Sequence, residues 1–118
     1  MALIPTLTVA ENVMFNDLVM NMGHKQFVNY GKIRKDAKEA LARLNVNIDV
    51  RRMCGTLTLA QKQMVLIARA VQSACNFLIL DEPTAPLSDT ETEELFRVVR
   101  HLRKTENLAV IFYYASYS

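Results

Sequence analysis

Phe77-Leu78-Ile79-Leu80-Asp81-Glu82-Pro83-Thr84 decides how this 118-residue chain folds. Four apolar residues run into two acids and a proline. A run this short, ended by a turn residue, reads as a buried strand, most simply one of a parallel sheet. In open α/β sheets, ligands bind at the carboxyl ends of the strands. An acid at that end can hold Mg²⁺ through water, and its neighbour can orient an attacking water. Successive strand residues point to opposite faces, so Asp81 and Glu82 can take different jobs only where the chain bends. Pro83 supplies the bend. Taken alone, the octet fits a solvated acidic turn equally well.

On the carboxyl side, Pro83 and Pro86 forbid an immediate helix. Ser88 then caps one, with Glu91 at the capping-box position. Leu95, Val98, Val99 and Leu102 form its apolar stripe, and Glu93 and Arg97 stand four apart on its polar face. His101 also falls on the polar face. Residues 109–114 are a second apolar strand. The second part of the chain is therefore a strand–helix–strand unit, expected to cross over right-handed.

On the amino side, Thr58 and Gln61 have capping-box spacing and open a helix over 59–74. Residues 45–55 form a connection. Lys32 to Leu44 is an amphipathic helix whose face is Ile33, Ala37, Ala40, Leu41 and Leu44. Thr8 and Glu11 cap a first helix over 9–16, and residues 16–30 are irregular or weakly helical. The expected fold class is α/β: a mainly helical subdomain over 1–75, then one βαβ unit with a small parallel sheet over 76–118. Two parallel strands cannot make a sheet buried on both faces. The chain therefore reads as a piece of a larger α/β domain, with an exposed sheet edge that favours self-association.

Composition excludes several classes. The chain is 51% hydrophobic and 22% charged, as a folded domain is. A net charge of +2 is too small to imply a polyanionic partner, so no nucleic acid is expected. Residues 23–53 hold eight basic residues against three acids, the pattern of a solvated helix face. Cys54 and Cys75 form no metal-ligand spacing and suggest a reducing compartment. The start, MALIPTLTVAEN, has no signal-peptide pattern, and no apolar stretch approaches the ~20 residues a membrane span needs. Met14, Met20 and Met22 fit either core filling or an adaptable contact surface.

The second motif is Leu57-Thr58-Leu59-Ala60-Gln61, leading into Lys62-Gln63-Met64-Val65-Leu66-Ile67-Ala68-Arg69-Ala70. A helix N-terminus offers free N–H groups and a positive dipole end, so it can hold an anion. An ordinary well-capped helix has the same pattern.

Together the two motifs resemble the ATPase cassette of ABC transporters. Leu57–Gln61 looks like the cassette's signature motif. Phe77–Glu82 looks like its Walker B strand and catalytic glutamate, and Ala85-Pro86-Leu87-Ser88 stands at its D-loop. The stretches LTVAEN, LTLAQKQMVLIARAV and LILDEPTAPLSDTETEELF resemble the first cassette of the two-cassette subunits of bacterial monosaccharide importers. The resemblance covers about residues 3–112. It implies a partial P-loop NTPase fold, with ATP and Mg²⁺ as cofactors of the parent family. Asp81 would bind Mg²⁺ through water and Glu82 would polarise the attacking water. Thr58, Leu59, Ala60 and Gln61 would face the γ-phosphate held by an opposing cassette. Leu87 and Ser88 would lie at that dimer interface, and the helical part would couple to the transporter's membrane subunits. The implied location is cytoplasmic, peripheral to the inner membrane, with no direct insertion.

Several family features are missing or altered. A phosphate-gripping loop needs Gly-x-x-x-x-Gly-Lys-Ser/Thr. The three glycines, Gly23, Gly31 and Gly55, do not supply it. The family's Q-loop glutamine would fall before Met1. Leu59-Ala60 replace the usual two glycines, and Ala115 stands where the family has its switch histidine; neither His24 nor His101 replaces it. The expected function is therefore a fragment of an importer's ATP-hydrolysing subunit, inactive or nearly so alone. The alternative is a non-catalytic module that docks on the membrane subunits. The absence of a sustained heptad run argues against a DNA-repair ATPase of the same superfamily.

Overall fold

The computed structural model describes residues 3–15, 18–19, 29–73, 77–81, 87–105 and 109–113; for 77–81, 105 and 109–113 the description is of the backbone. The elements are α1 (Val9–Val13), α2 (Tyr30–Arg43), a short 3₁₀ turn (Cys54–Thr56), α3 (Leu59–Gln72), β1 (Phe77–Asp81), α4 (Asp89–Thr105) and β2 (Ala109–Tyr113).

Helix α1 carries both halves of its capping box. Thr8 Oγ1 accepts from the Glu11 N–H at 3.2 Å, and Glu11 Oε1 accepts from the Thr8 N–H at 3.0 Å. The helix stops at Val13, short of the expected residue 16, because Met14 takes up the cap. Five residues are far too few for intrinsic helix stability, so tertiary bonds hold it. Its first-turn donors leave the helix: the Val9 N–H bonds Arg52 O at 2.8 Å and the Ala10 N–H bonds Val50 O at 2.9 Å. Thr8 forms an antiparallel bridge with Met53, the Cys54 N–H bonds Leu7 O, and the Gly55 N–H bonds Pro5 O. The stretch expected to be a mere connection thus pairs with the start of the chain. Gly55 permits this close approach: a Cβ there would sit 3.2 Å from Pro5 O, so the neighbouring backbone would have to give by a few tenths of an ångström.

Helix α2 starts two residues before its expected start because Asn29 caps it, accepting from the Lys32 N–H at 3.1 Å. Ile33, Ala37, Ala40, Leu41 and Leu44 are all buried, as their spacing requires. The helix ends in a Schellman turn: the Val46 N–H bonds Leu41 O and the Asn45 N–H bonds Ala42 O, each at 3.0 Å. Asn45 sits at φ 56, the left-handed region that glycine enters freely. Asn45→Gly should therefore raise stability by up to ~1 kcal/mol, and Asn45→Ala should lower it by about the same. Urea unfolding followed by circular dichroism measures both.

Helix α3 has both halves of its capping box and ends at Gln72, with Ser73 as its cap. It is buried on most sides, from Ala60 through Val71, and touches α1, α2 and α4. It is the centre of one continuous core to which α1, α2 and α4 all contribute. Ser88 and Glu91 exchange backbone-to-side-chain bonds at the start of α4. Leu95, Val98, Val99 and Leu102 are buried as the stripe predicts. Strands β1 and β2 pair in parallel, from Phe77 opposite Ala109 to Asp81 opposite Tyr113, with α4 between them in sequence.

Two expectations are refined, and one left open between two readings is decided. Arg97 pairs with Glu94, not Glu93, because residues three apart on a helix are neighbours as surely as residues four apart. His101 is not simply solvated: its Nε2 lies 2.9 Å from Arg43 O and ties α4 to the end of α2. A histidine near a helix C-terminus can satisfy one of its last carbonyls. Met14 is 2% exposed and belongs to the core, so it offers no contact surface. Met20 and Met22 lie outside the described residues, as does His24. Among the described residues, no helix is long and apolar enough to cross a membrane.

Candidate functional site

The start of α3 carries the first set of candidate residues. Thr58 Oγ1 accepts from the Gln61 N–H at 3.2 Å, and Gln61 Oε1 accepts from the Thr58 N–H at 3.0 Å. Each side chain is therefore engaged by the other's backbone. The first-turn donors left without an intrahelical partner are the Leu59 and Ala60 N–H groups. These are the two positions at which the resemblance expects glycines. Thr58 is exposed, Leu59 and Gln61 are half-buried, and Ala60 is buried.

A cleft of about 580 Å³ opens beside this helix start. Thr58, Ala60, Gln61 and Met64 form one wall, and Glu91 and Glu94 of α4 form another. Among the described residues, no lysine or arginine lines it. Two carboxylates at its rim oppose a second anion, while the dipole and free N–H groups of α3 favour one.

Asp81 ends β1, at the carboxyl edge where an open sheet places its ligands. The Asp81 side chain and all of Glu82 lie outside the described residues, as does Ala115. Leu87 is half-buried and packs on the core, and Ser88 is exposed with its hydroxyl held by the Glu91 N–H. The fold therefore joins Thr58, Ala60 and Gln61 with Glu91 and Glu94 in one cleft. Among the described residues, no group of three His, Cys, Asp or Glu side chains converges as a metal site would require.

Among the described residues, three buried polar ones escaped the sequence reading: Asn12, Gln63 and Arg69. Asn12 is structural. Its Oδ1 accepts from the Ile4 N–H at 2.8 Å, and its Nδ2 donates to Ile4 O and Thr8 O, each at 3.0 Å. The available signal was a polar residue beside Val9 and Val13 in a helix too short for a polar face.

Cys54 is fully buried and unpaired in any disulfide. Burial pushes its thiol up from the ordinary value, more than the Asn12 hydrogen bond and the Lys62 and Arg69 charges pull it down. It is therefore a poor nucleophile. A raised native value means that the unfolded chain loses its proton first. Cys54's contribution to stability is thus complete below the ordinary thiol value of 9.0 and falls as pH rises past it. Wild type should lose stability there faster than Cys54→Ala, as urea unfolding at a series of pH values would measure.

The sequence family described as ABC transporter matches residues 1–85. A ribose import ATP-binding protein of Corynebacterium glutamicum is 42% identical over 110 residues, covering 93% of this chain and 20% of that protein. One from Burkholderia pseudomallei is 38% identical over 113 residues, covering 95% and 22%. A putative ribose/galactose/methyl galactoside import ATP-binding protein of Burkholderia ambifaria is 37% identical, covering 93% and 20%. The chain spans about a fifth of the length of these curated relatives. Among solved structures, a dimeric ATP-binding cassette in a post-hydrolysis state with ADP and Pi superposes with a TM-score of 0.66 at 25% identity, covering 97% of this chain and 48% of that one. A nucleotide-free cassette from an ABC transporter gives 0.72 at 19% identity, over 94% and 47%, a likeness of fold.

Proposed function

The chain belongs to the ABC transporter family, and on that premise we propose that it is part of the ATP-binding and ATP-hydrolysing subunit of a bacterial sugar importer, with a ribose-like monosaccharide as the cargo. The observation that carries this reading is identity of about 40% to ribose import ATP-binding proteins across more than nine-tenths of the chain. Two local features support it: a capped helix starts at Thr58 and an acid ends strand β1, the features on which the resemblance to the signature and Walker B motifs rests.

In this reading residues 1–75 are the helical, signature-bearing subdomain. Residues 76–118 are part of a nucleotide-binding core of P-loop NTPase type with a small parallel sheet. Asp81 is the Mg²⁺ ligand through water, a role that suits a hard carboxylate oxygen at a strand end. Glu82 is the residue that would polarise the attacking water. The Leu59 and Ala60 N–H groups, with Thr58 and Gln61, face the γ-phosphate held by a second cassette. Leu87 and Ser88 lie at the border with that cassette. The partners are a second cassette and the membrane subunits, and the location is the cytoplasmic side of the inner membrane.

Bound Mg·ATP would supply the phosphoryl group and the charge that these residues orient and stabilise. The chain's own glycines, Gly23, Gly31 and Gly55, do not supply a phosphate-gripping loop. The carboxylates of Glu91 and Glu94 beside Thr58 oppose an anion held from one side alone. The 118-residue chain should therefore give no heat with millimolar Mg·ATP in calorimetry and no steady-state turnover above background. A rate near one per second that disappears in Glu82→Gln would overturn the inactive reading.

One observation favours a second role, as a docking module. Helices α1 to α4 share one continuous core, so the helical surface is held by the chain's own packing. Co-purification with an importer's membrane subunits, unaffected by Glu82→Gln, would support it; no association would count against it.

A further inference from the structure

Beside the first two turns of α3 lies a cavity of about 260 Å³ that shares no lining residue with the cleft at Thr58. Leu59, Lys62, Gln63 and Leu66 face it from α3, at spacings of three and four that put them on one side of the helix. Leu3 and Cys54 close it from the start of the chain and from the 3₁₀ turn. Most of its lining is apolar. Its size suits a single ring, since dry apolar cavities of about 150 Å³ already take benzene.

Gln63 breaks the apolar pattern. It is 7% exposed, and its Oε1 is shut off from solvent and accepts no hydrogen bond among the described residues. A buried acceptor without a donor is costly, and folded proteins rarely leave one. Methionine has nearly the same shape and would fill the place without that cost. A lone water is a poor donor here, because it needs several polar partners at once. Among the described lining residues, the only other polar side chains are Lys62 and Cys54. The donor that Gln63 lacks therefore has to arrive on an apolar body. Lys62, half-buried on the same wall, offers an ammonium to the face of a ring.

We propose that this cavity binds a small phenol-like molecule, one ring carrying one hydroxyl. The O–H donates to Gln63 Oε1 while the ring packs on Leu3, Leu59 and Leu66. A sugar would leave most of its hydroxyls unpaired against these side chains. The site is therefore not one for an importer's cargo, and its failure would leave the importer reading untouched.

Phenol and toluene, nearly equal in size and different by the hydroxyl, test it on the full chain. In titrations followed by two-dimensional amide NMR, phenol should shift the Leu59, Lys62, Gln63 and Leu66 signals to saturation. It should bind about tenfold more tightly than toluene, the difference that one hydrogen bond supplies. Gln63→Met should bring the two ligands to about equal affinity, by weakening phenol and keeping toluene. Leu66→Phe, which fills the cavity, should weaken both at least about tenfold. Circular dichroism checks that the variants fold, and the phenol-to-toluene ratio in the wild type carries the test if either does not. No saturable shift, shifts that map to another surface, equal affinities in the wild type, or a ratio that survives Gln63→Met would each overturn the proposal.

Discussion

Asn12→Ala is expected to cost about 3 kcal/mol of folding stability, a large share of what a domain of this size has. Asn12 is fully buried, and its amide links α1 to the segment before it. Ile4 O and Thr8 O keep other donors, the Leu7 and Asn12 N–H groups. The group left stranded is the Ile4 N–H, which bonds Asn12 Oδ1 at 2.8 Å. An unpaired buried donor costs ~1–3 kcal/mol, and the space left by the lost amide adds to that. Asn12→Asp should cost nearly as much, since a carboxylate accepts from Ile4 but cannot donate to the two carbonyls. Urea unfolding with circular dichroism gives the value; a loss under ~1 kcal/mol would mean that water replaces the amide.

Leu41→Ala should cost about 3–4 kcal/mol. Leu41 is 1% exposed, and its carbonyl also accepts the bond from Val46 that closes the end of α2. The lost side chain leaves a cavity among helices that are each held by the others, so little can relax into it. Leu41→Met should cost less than ~1.5 kcal/mol, because volume is nearly kept. Exposed Lys35→Ala on the same helix should change stability by less than ~0.5 kcal/mol. Equal losses in Leu41→Ala and Lys35→Ala would mean that α2 does not pack on the core as described.

The helices were legible because their signals are local. A capping box closes within four residues, and Thr8–Glu11, Thr58–Gln61 and Ser88–Glu91 all form as their spacing demands. The stripe from Ile33 to Leu44 likewise follows from 3.6 residues per turn. The ends were less legible. Asn29 set the start of α2 two residues early, and Met14 ended α1 early, because caps compete with periodicity for the last turn. The candidate site was legible as two motifs, Leu57–Gln61 and Phe77–Glu82, since each depends on residue type at short spacing. Nothing in either motif announced that Glu91 and Glu94 share the cleft with Thr58.

The amino-acid sequence by itself determined the helical segments, their inward faces and the family to which the motifs belong. The tertiary structure decided which distant segments meet: residues 5–10 with 50–55, Arg43 with His101, and a basic groove beside an acidic one. It also decided that Asn12 and Met14 are interior. The physical reason is range. Hydrogen bonds and side-chain contacts within a helical turn are fixed by residues three or four apart, and those can be counted along the chain. A bond across 58 residues, or two grooves that share a wall, depends on how whole helices pack, and no local spacing encodes that.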